Sequence, residues 1–401
     1  MTETAVVAAA VRTPLGRRRG VLAGVRPDEL LALTLRELVA RAGIEPALIE
    51  DVVAGCVNAV GEQGRNIARV AALAAGLPES VAGMTLNRMC GSGQQAVHAA
   101  AHAVLSGQQD AVIAGGVESM SRVPMGADAM GVEPPESVTA RYELIGQGVA
   151  ADRIARRWGI GRSELDAFAV RSHARADAAW RSGRYDDETM AIPTDPTAAL
   201  LGRADPGPGA RIVDEGIRPD STPAALAALA PAFGPDGLHH AGNSSQLTDG
   251  AAAVLVCAES VAAATGLRPL GRIRATAVVG VDPTLMLHGV IPVTHRILAR
   301  AGLTLDDIDL FEVNEAFASV PLAWQRDTGV ADDRLNVNGG AIALGHPTGC
   351  SGARILTTLL HELRRRGGRY GLQVMCTGGG MATATLVEAA PAETSGGATD
   401  G

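Results

Sequence analysis

The chain has 401 residues, 47% of them hydrophobic, with 49 glycines and only 2% aromatics. That composition belongs to an ordered globular chain of two or three packed units with an Ala, Val and Leu core, and its net charge of −8 argues against a nucleic-acid surface, which needs a basic stripe to neutralise phosphates. All the basic residues are arginines, which excludes a lysine Schiff base and a P-loop lysine.

TAVVAAAV at 4–11, bounded by Arg12, Thr13 and Pro14, reads as a buried strand; without a basic region before it, it is not a signal peptide. An amphipathic helix spans about 27–42, with Pro27 at its start and Gly43 past its end. IEDVVAGCVNAV at 49–60 is a strand running into a loop, and a helix follows at about 66–75. MTLNRMCGSGQQAVHAA at 84–100 puts Cys90 between an apolar strand-like run and a helix that closes near Gly107, before the strand DAVIAGGVESM at 110–120. Strands and helices alternating at this spacing indicate an α/β fold with a parallel or mixed sheet.

Between about 120 and 245 the texture changes, with most of the Trp and Tyr and with loops rich in Pro, Gly and Asp. Helices are expected at about 147–158 and 163–182, while 193–210 reads as irregular and exposed. This region is expected to be an insertion over the α/β core, where substrate-gripping loops lie. The α/β texture returns at about 249 with the strands DGAAAVLVCAE and LGRIRATAVVG, a helix at about 294–301, and DIDLFEVNEAFA. LNVNGGAIALGHPTGCSGARILTTLLHELRRRG follows, then a strand, GLQVMCTGGGMATATLVE, and a frayed tail over 391–401. An internal repeat is visible: CGSG opens a helix ending at Gly107 that feeds VIAGG, and CSGA opens one ending at Gly367 that feeds VMCTGGG.

The five cysteines, Cys56, Cys90, Cys257, Cys350 and Cys376, are odd in number and widely spaced, with no CxxC pair. This is the pattern of a reducing compartment, without a disulfide framework or a metal site. No apolar stretch approaches the ~20 residues of a membrane span, so the sequence predicts a cytoplasmic protein with no membrane insertion.

Four stretches could carry chemistry: Cys90 in NRMCGSG, Asn314 in NEAF, His346 in GGAIALGHPTG and Cys376 in CTGGG. A thiol at a helix N-terminus meets unpaired N–H groups and the positive end of the dipole, both of which favour thiolate. Each stretch also has a plainer reading. A lone cysteine is usually a small buried hydrophobe, a lone histidine is more often structural, and glycine-rich loops usually just turn the chain.

These four blocks, in this order and separation, resemble the thiolase family. GGVESMSRVPMG at 115–126, DEGIR at 214–218 and AGNSSQLTDGAAA at 241–253 add to the match, which spans about 4–388. The resemblance implies a five-layered α-β-α-β-α fold of two similar halves: 1–119 plus 248–269, and 270–390, with an inserted loop domain at 120–247. It implies thiolytic cleavage of 3-oxoacyl-CoA by a ping-pong route, with coenzyme A as co-substrate and no bound cofactor. Cys90 would be the nucleophile, His346 its base, and Cys376 the acid and base toward the substrate carbon between the carbonyls. One oxyanion site would combine His346 with a water held by Asn314, and the other the N–H groups of Cys90 and Gly378. Ser245 would touch the pantetheine arm, Arg218 the nucleotide end of CoA, and Ala316 and Phe317 the reacting carbons. A homodimer or homotetramer is implied as well.

Some positions depart from the family's commoner forms. Gly146, Gln147 and Gly148 stand where short-chain biosynthetic members often carry His-Met-Gly, and NSSQ at 243–246 looks more like degradative members. A biosynthetic acetoacetyl-CoA thiolase and a non-catalytic acyl-CoA or lipid carrier of the same shape are the alternatives. His239 and His240 read as solvated loop residues, and Cys350 as a small packing residue.

Overall fold

The computed structural model describes residues 3–203 and 212–390. Strands β1 (Ala5–Arg12), β2 (Gly16–Arg17), β3 (Asp51–Gly55), β4 (Ala82–Leu86) and β5 (Ala111–Ser119) are interleaved with helices α1 (Pro27–Ala42), α2 (Ile67–Ala74) and α3 (Ser92–Leu105). Pro27 opens α1 and Gly43, at φ 68°, closes it, because proline is pre-set for the first helical turn and glycine for the left-handed cap. The segment between β5 and β6 carries α4 (Glu136–Thr139), α5 (Gln147–Arg157), α6 (Arg162–Arg181), α7 (Pro196–Leu200) and α8 (Pro223–Ala227). Beyond it come β6 (Thr248–Ala258), α9 (Glu259–Thr265), β7 (Gly271–Gly280), α10 (Val290–Ala301), β8 (Leu310–Val313), α11 (Ser319–Thr328), α12 (Ala341–Leu344), α13 (Thr348–Arg366), β9 (Tyr370–Thr377) and β10 (Met381–Ala389).

The strands run in the order β4-β3-β5-β6-β1-β7-β10-β9-β8, with β2 paired to β6. In the first half β4, β3 and β5 are parallel, and β6 and β1 are antiparallel additions. The second half repeats this order: Leu335 bridges Phe311 of β8 in parallel, β8 and β9 are parallel, and β10 and β7 are antiparallel. Among the described strands, the sheets of the two halves pair where Val6 and Val7 meet Arg272 and Gly271.

Five layers follow from which faces are apolar. Leu30, Leu31, Leu35 and Leu38 of α1 pack with Ile67 of α2 on one face of the first half. Val97 and Val104 of α3 and Leu356, Leu359, Leu360 and Leu363 of α13 fill the space between the halves. Val293 and Ile297 of α10 and Trp324 of α11 cover the outer face of the second half. Each fully buried leucine contributes about 1.5–3 kcal/mol. Because the strands are covered on both sides, β5 and β6 are buried along their whole length. No helix of the described residues is long and apolar enough to cross a membrane.

Three expectations are corrected. GLQVMCTGGGMATATLVE is two strands and not one, since Gly379 and Gly380 take positive φ and turn β9 into β10. The run 193–210 is not wholly irregular: Asp195 caps α7 through the Ala198 N–H, and Ala199 is buried. Its residues 204–210, like the tail 391–401, lie outside the described residues. The repeat is also shifted by four positions, because α13 begins at Thr348 and already contains Cys350. Cys90 stands two residues before α3 and His346 two residues before α13, so the counterpart of Cys90 in the second half is His346.

Candidate active site

Cys90 is held by a tight turn between β4 and α3. Gly91 N–H donates to Arg88 O at 3.1 Å and Ser92 N–H to Met89 O at 2.9 Å, while the Ser92 hydroxyl accepts from Arg88 N–H at 2.8 Å and donates to Met89 O at 2.6 Å. Met89 at the centre has φ 49°, a left-handed conformation that costs a non-glycine residue about 1–3 kcal/mol and persists only where its surroundings enforce it. The thiol that results is 5% exposed, packed against Ile355 and Met375.

His346 enters from the other half. Its N–H donates to Gln246 O at 3.1 Å. Its Nδ1 lies 2.6 Å from the Ser351 Oγ, and that hydroxyl donates to Pro347 O at 3.0 Å. With its only proton committed to the carbonyl, Ser351 accepts from Nδ1–H, which leaves His346 Nε2 unprotonated and an acceptor. The Asn314 amide lies 3.4 Å from that Nε2 and also reaches the Cys376 thiol. Cys376 is the last residue but one of β9 and interacts with Cys90, whose thiol is in turn influenced by the Gly378 N–H. A thiol, an imidazole, an amide and a second thiol, drawn from positions 90 to 376, therefore share one buried centre at the C-terminal ends of the parallel strands.

Burial sets the resting protonation. It pushes the Cys90 thiol up to about 11, opposed by the N–H groups of Gly378 and of Cys90 itself. Cys376 is raised still further by burial and by Cys90 beside it. Burial, with the charge of Arg354, brings His346 down to about 4. Burial thus opposes the helix-dipole stabilisation of a Cys90 thiolate, because removing the sulfur from water outweighs the local donors, and it favours a neutral His346 imidazole. The same physics predicts an acid response. Burial lowers His98 to about 3 and His173 to about 4, so these two and His346 bind protons in the unfolded chain, near pH 6.5, before they do so in the folded one. Their stabilisation is complete above pH 6.5 and is lost as pH falls toward 4. Urea midpoints measured across that range should drop steeply, and a flat profile would refute their neutral burial.

A cavity of about 510 Å³ holds Arg218 and Ser245, together with His173, Gln246 and Ile342. It is tied to the thiols through Ala316, whose carbonyl accepts from Ser245 N–H at 2.9 Å and whose N–H reaches Cys376. Phe317 lies beside it, edge-on to Phe233 and to His239 at 5.6 and 5.5 Å. A larger cavity of about 680 Å³, at the junction of β1, β7 and β10, holds none of the predicted site residues.

His239 and His240 are not solvated, as expected from sequence, but fully buried. Each is paired with a carboxylate, His239 with Asp152 at 2.6 Å and His240 with Asp166 at 2.8 Å. Cys350 is a packing residue against Ala252 and Ala353, as expected. Sequence reasoning missed the groups that fix the site. Glu118 accepts from Val57 N–H, Asn58 N–H, Asn58 Nδ2, Gln63 Nε2, the Thr348 hydroxyl and Gly349 N–H, which places a carboxylate at the positive end of the helix behind His346. Glu315 accepts from Ser172, Asn336 and the Ile342 N–H, and so holds the loop that carries Asn314. Gln147 stands over Gly378, its Nε2 3.0 Å from where a Cβ there would lie. The motifs GGVESM and NEAF contain two of these residues, but nothing local distinguishes a buried acid from an exposed one.

A double α/β fold with a buried thiol pair and imidazole beside a cavity is the framework of a thiol-dependent acyltransferase. Comparison with known proteins makes this specific. Residues 5–260 match the model of the thiolase N-terminal domain and 267–389 that of the thiolase C-terminal domain. The chain is 43% identical over 399 residues to the steroid 3-ketoacyl-CoA thiolase FadA6 of Mycobacterium tuberculosis, covering 97% of this chain and 94% of that one. It is 45% identical over 392 residues to the 3-ketoacyl-CoA thiolase FadA of Escherichia coli K12, covering 96% and 99%. The crystal structure of the Bacillus anthracis acetyl-CoA acetyltransferase superposes with a TM-score of 0.86 at 38% identity, over 97% of this chain and 99% of that one. The chain belongs to the thiolase family and is an acyltransferase enzyme.

Proposed function

We propose that this enzyme cleaves 3-oxoacyl-CoA with coenzyme A, giving acetyl-CoA and an acyl-CoA shortened by two carbons, through an acyl-enzyme on Cys90. The observation that supports this reading is the linked set Cys90, Cys376, Asn314 and His346: Asn314 lies 3.4 Å from His346 Nε2 and interacts with Cys376, which in turn interacts with Cys90. His346 Nε2 takes the Cys90 proton as sulfur attacks the 3-oxo carbon, which avoids a free thiolate in a dry site. The developing oxyanion is met by preorganised donors: His346 with a water on Asn314 at one oxygen, and the N–H groups of Cys90 and Gly378 at the other. The C2–C3 bond then breaks, its electron pair forms the enolate of acetyl-CoA, and the Cys376 thiol protonates C2. After acetyl-CoA leaves, the imidazolium returns its proton to the Cys376 thiolate. His346 next deprotonates the incoming CoA thiol, whose sulfur displaces Cys90, and hands the proton back to it. The kinetics are ping-pong.

Arg218 and Ser245 hold the nucleotide and pantetheine parts of CoA, with Ala316 and Phe317 beside the reacting carbons; their shared cavity beside Cys376 supports this. The loop domain 120–247 grips CoA over a catalytic core formed by 1–119 with 248–269 and by 270–390. The protein acts in the cytoplasm as a homodimer or homotetramer. In support of assembly, the outer edge of β4 is unpaired among the described residues and Met84 on it is 44% exposed, a surface that soluble proteins usually cover. The reverse condensation to acetoacetyl-CoA uses the same atoms, and the likeness to an acetyl-CoA acetyltransferase favours it as the second reading.

The test is CoA-dependent loss of 3-oxoacyl-CoA over chain lengths from four carbons upward. Turnover should increase beyond the four-carbon substrate. A maximum at four carbons would favour the biosynthetic reading, and no turnover at any length would leave only a carrier.

A further inference from the structure

Arg12, at the end of β1, is fully buried and far along the chain from every proposed reacting group, yet it anchors a heavily bonded acid in the CoA-gripping region. Its Nη1 and Nη2 meet the two oxygens of Asp214 at 2.8 and 3.1 Å, and its Nε meets Glu188 at 2.5 Å. Asp214 also accepts from Leu15 N–H at 2.7 Å and from the Trp180 indole N–H at 2.9 Å. A bidentate, planar pair of this kind fixes direction as well as distance, and the Tyr185 ring under the guanidinium, 4.8 Å away, completes the clamp.

The clamp lies four residues before Arg218. Between them Glu215 accepts from Arg17 N–H and Val21 N–H at 3.1 and 2.8 Å, and Gly216 O accepts from Gln246 Nε2 at 2.8 Å. Arg218 itself donates its N–H to His173 Nδ1 at 3.1 Å. The segment 214–218 has no regular secondary structure and takes its course from side chains of β1, α6 and the loop before β6 and from the Arg17 N–H of β2. A long, exposed arginine can bind an anion tightly only if its backbone is already placed.

We infer that Arg12, Asp214 and Trp180 form a positioning clamp that presents Arg218 to the nucleotide end of CoA, so that a buried ion pair in the core sets the affinity for the co-substrate. This rests on the reading of Arg218 given above. The clamp touches neither thiol, so its loss acts on recognition of the nucleotide and not on the chemistry. The experiment measures steady-state thiolysis with CoA and with pantetheine, which carries the same thiol and lacks the nucleotide. The variants are Asp214→Asn, which keeps the shape of the acid, Trp180→Phe, which removes one donor and serves if the first does not fold, Arg218→Ala, and Arg218→Ala combined with each of the others. Asp214→Asn should raise KM for CoA about tenfold and Trp180→Phe about threefold. In both, kcat and the KM for pantetheine should stay within twofold, and neither change should add to the effect of Arg218→Ala. An equal rise for pantetheine, a parallel fall in kcat, or full additivity with Arg218→Ala overturns the clamp alone. An unchanged KM for CoA in Arg218→Ala overturns the assignment of Arg218, and the clamp with it.

Discussion

Cys90→Ala should abolish thiolysis, lowering kcat on the order of 10⁴-fold or more, the scale on which loss of a covalent nucleophile is felt. The fold should survive, because the residue is small and its neighbours, Ile355 and Met375, form only a three-residue cluster with it. A thermal melt within a few degrees of the parent would separate lost chemistry from lost structure. The resting state makes the comparison sharper. With the thiol raised to about 11, only a small fraction is ionised at neutral pH, so the rate depends on proton transfer to His346 when substrate is in place. Parent enzyme should trap a labelled acyl group from 3-oxoacyl-CoA as a thioester, and Cys90→Ala should trap none. Retention of full activity by Cys90→Ala would end the proposed mechanism.

Cys376→Ser should separate the two kinds of chemistry in the cycle. A serine hydroxyl keeps the volume but is a far weaker acid, so protonation of the acetyl-CoA enolate and its reverse should slow by about 10²–10⁴-fold, the usual contribution of a positioned acid or base. Exchange of an acetyl group between acetyl-CoA and labelled CoA uses only Cys90 and His346 and should fall less than tenfold. His346→Ala should instead depress exchange and cleavage together, since the imidazole handles the thiol proton in both. The geometry supports this division. Asn314 stands between the two groups, 3.4 Å from His346 Nε2 and in contact with Cys376, so each keeps its own proton acceptor within one amide's reach. Equal losses in exchange and cleavage for Cys376→Ser would overturn its assigned role.

Much of the site was legible because its signals are local. Proline at the first turn of α1 and glycine after its end fix the bounds of that helix wherever it packs. The four motif blocks place a thiol, an amide, an imidazole and a second thiol at turns after strands or before helices; Cys90, Asn314 and His346 stand at such turns, and Cys376 is the last residue but one of β9. The shifted repeat shows the limit of this kind of reading. Matching CGSG with CSGA aligns two cysteines by letter, whereas the helix starts align Cys90 with His346. A match of small residues carries little information about helical register.

By itself the sequence determined the α/β alternation of the first half, the α/β class and the residue types available for chemistry, because periodicity, caps and turn residues act over a few positions. Only the tertiary structure decided their state. Cys90 before a helix reads as a thiolate until the second half of the chain covers it, and burial then raises it. His239 and His240 read as solvated until Asp152 and Asp166, 87 and 74 positions away, enclose and pair them. Glu118 and Asp214 look like ordinary surface acids until partners as far as 231 and 202 residues away complete their shells. Desolvation and long-range pairing depend on what surrounds a group in space, and the neighbours along the chain do not specify that.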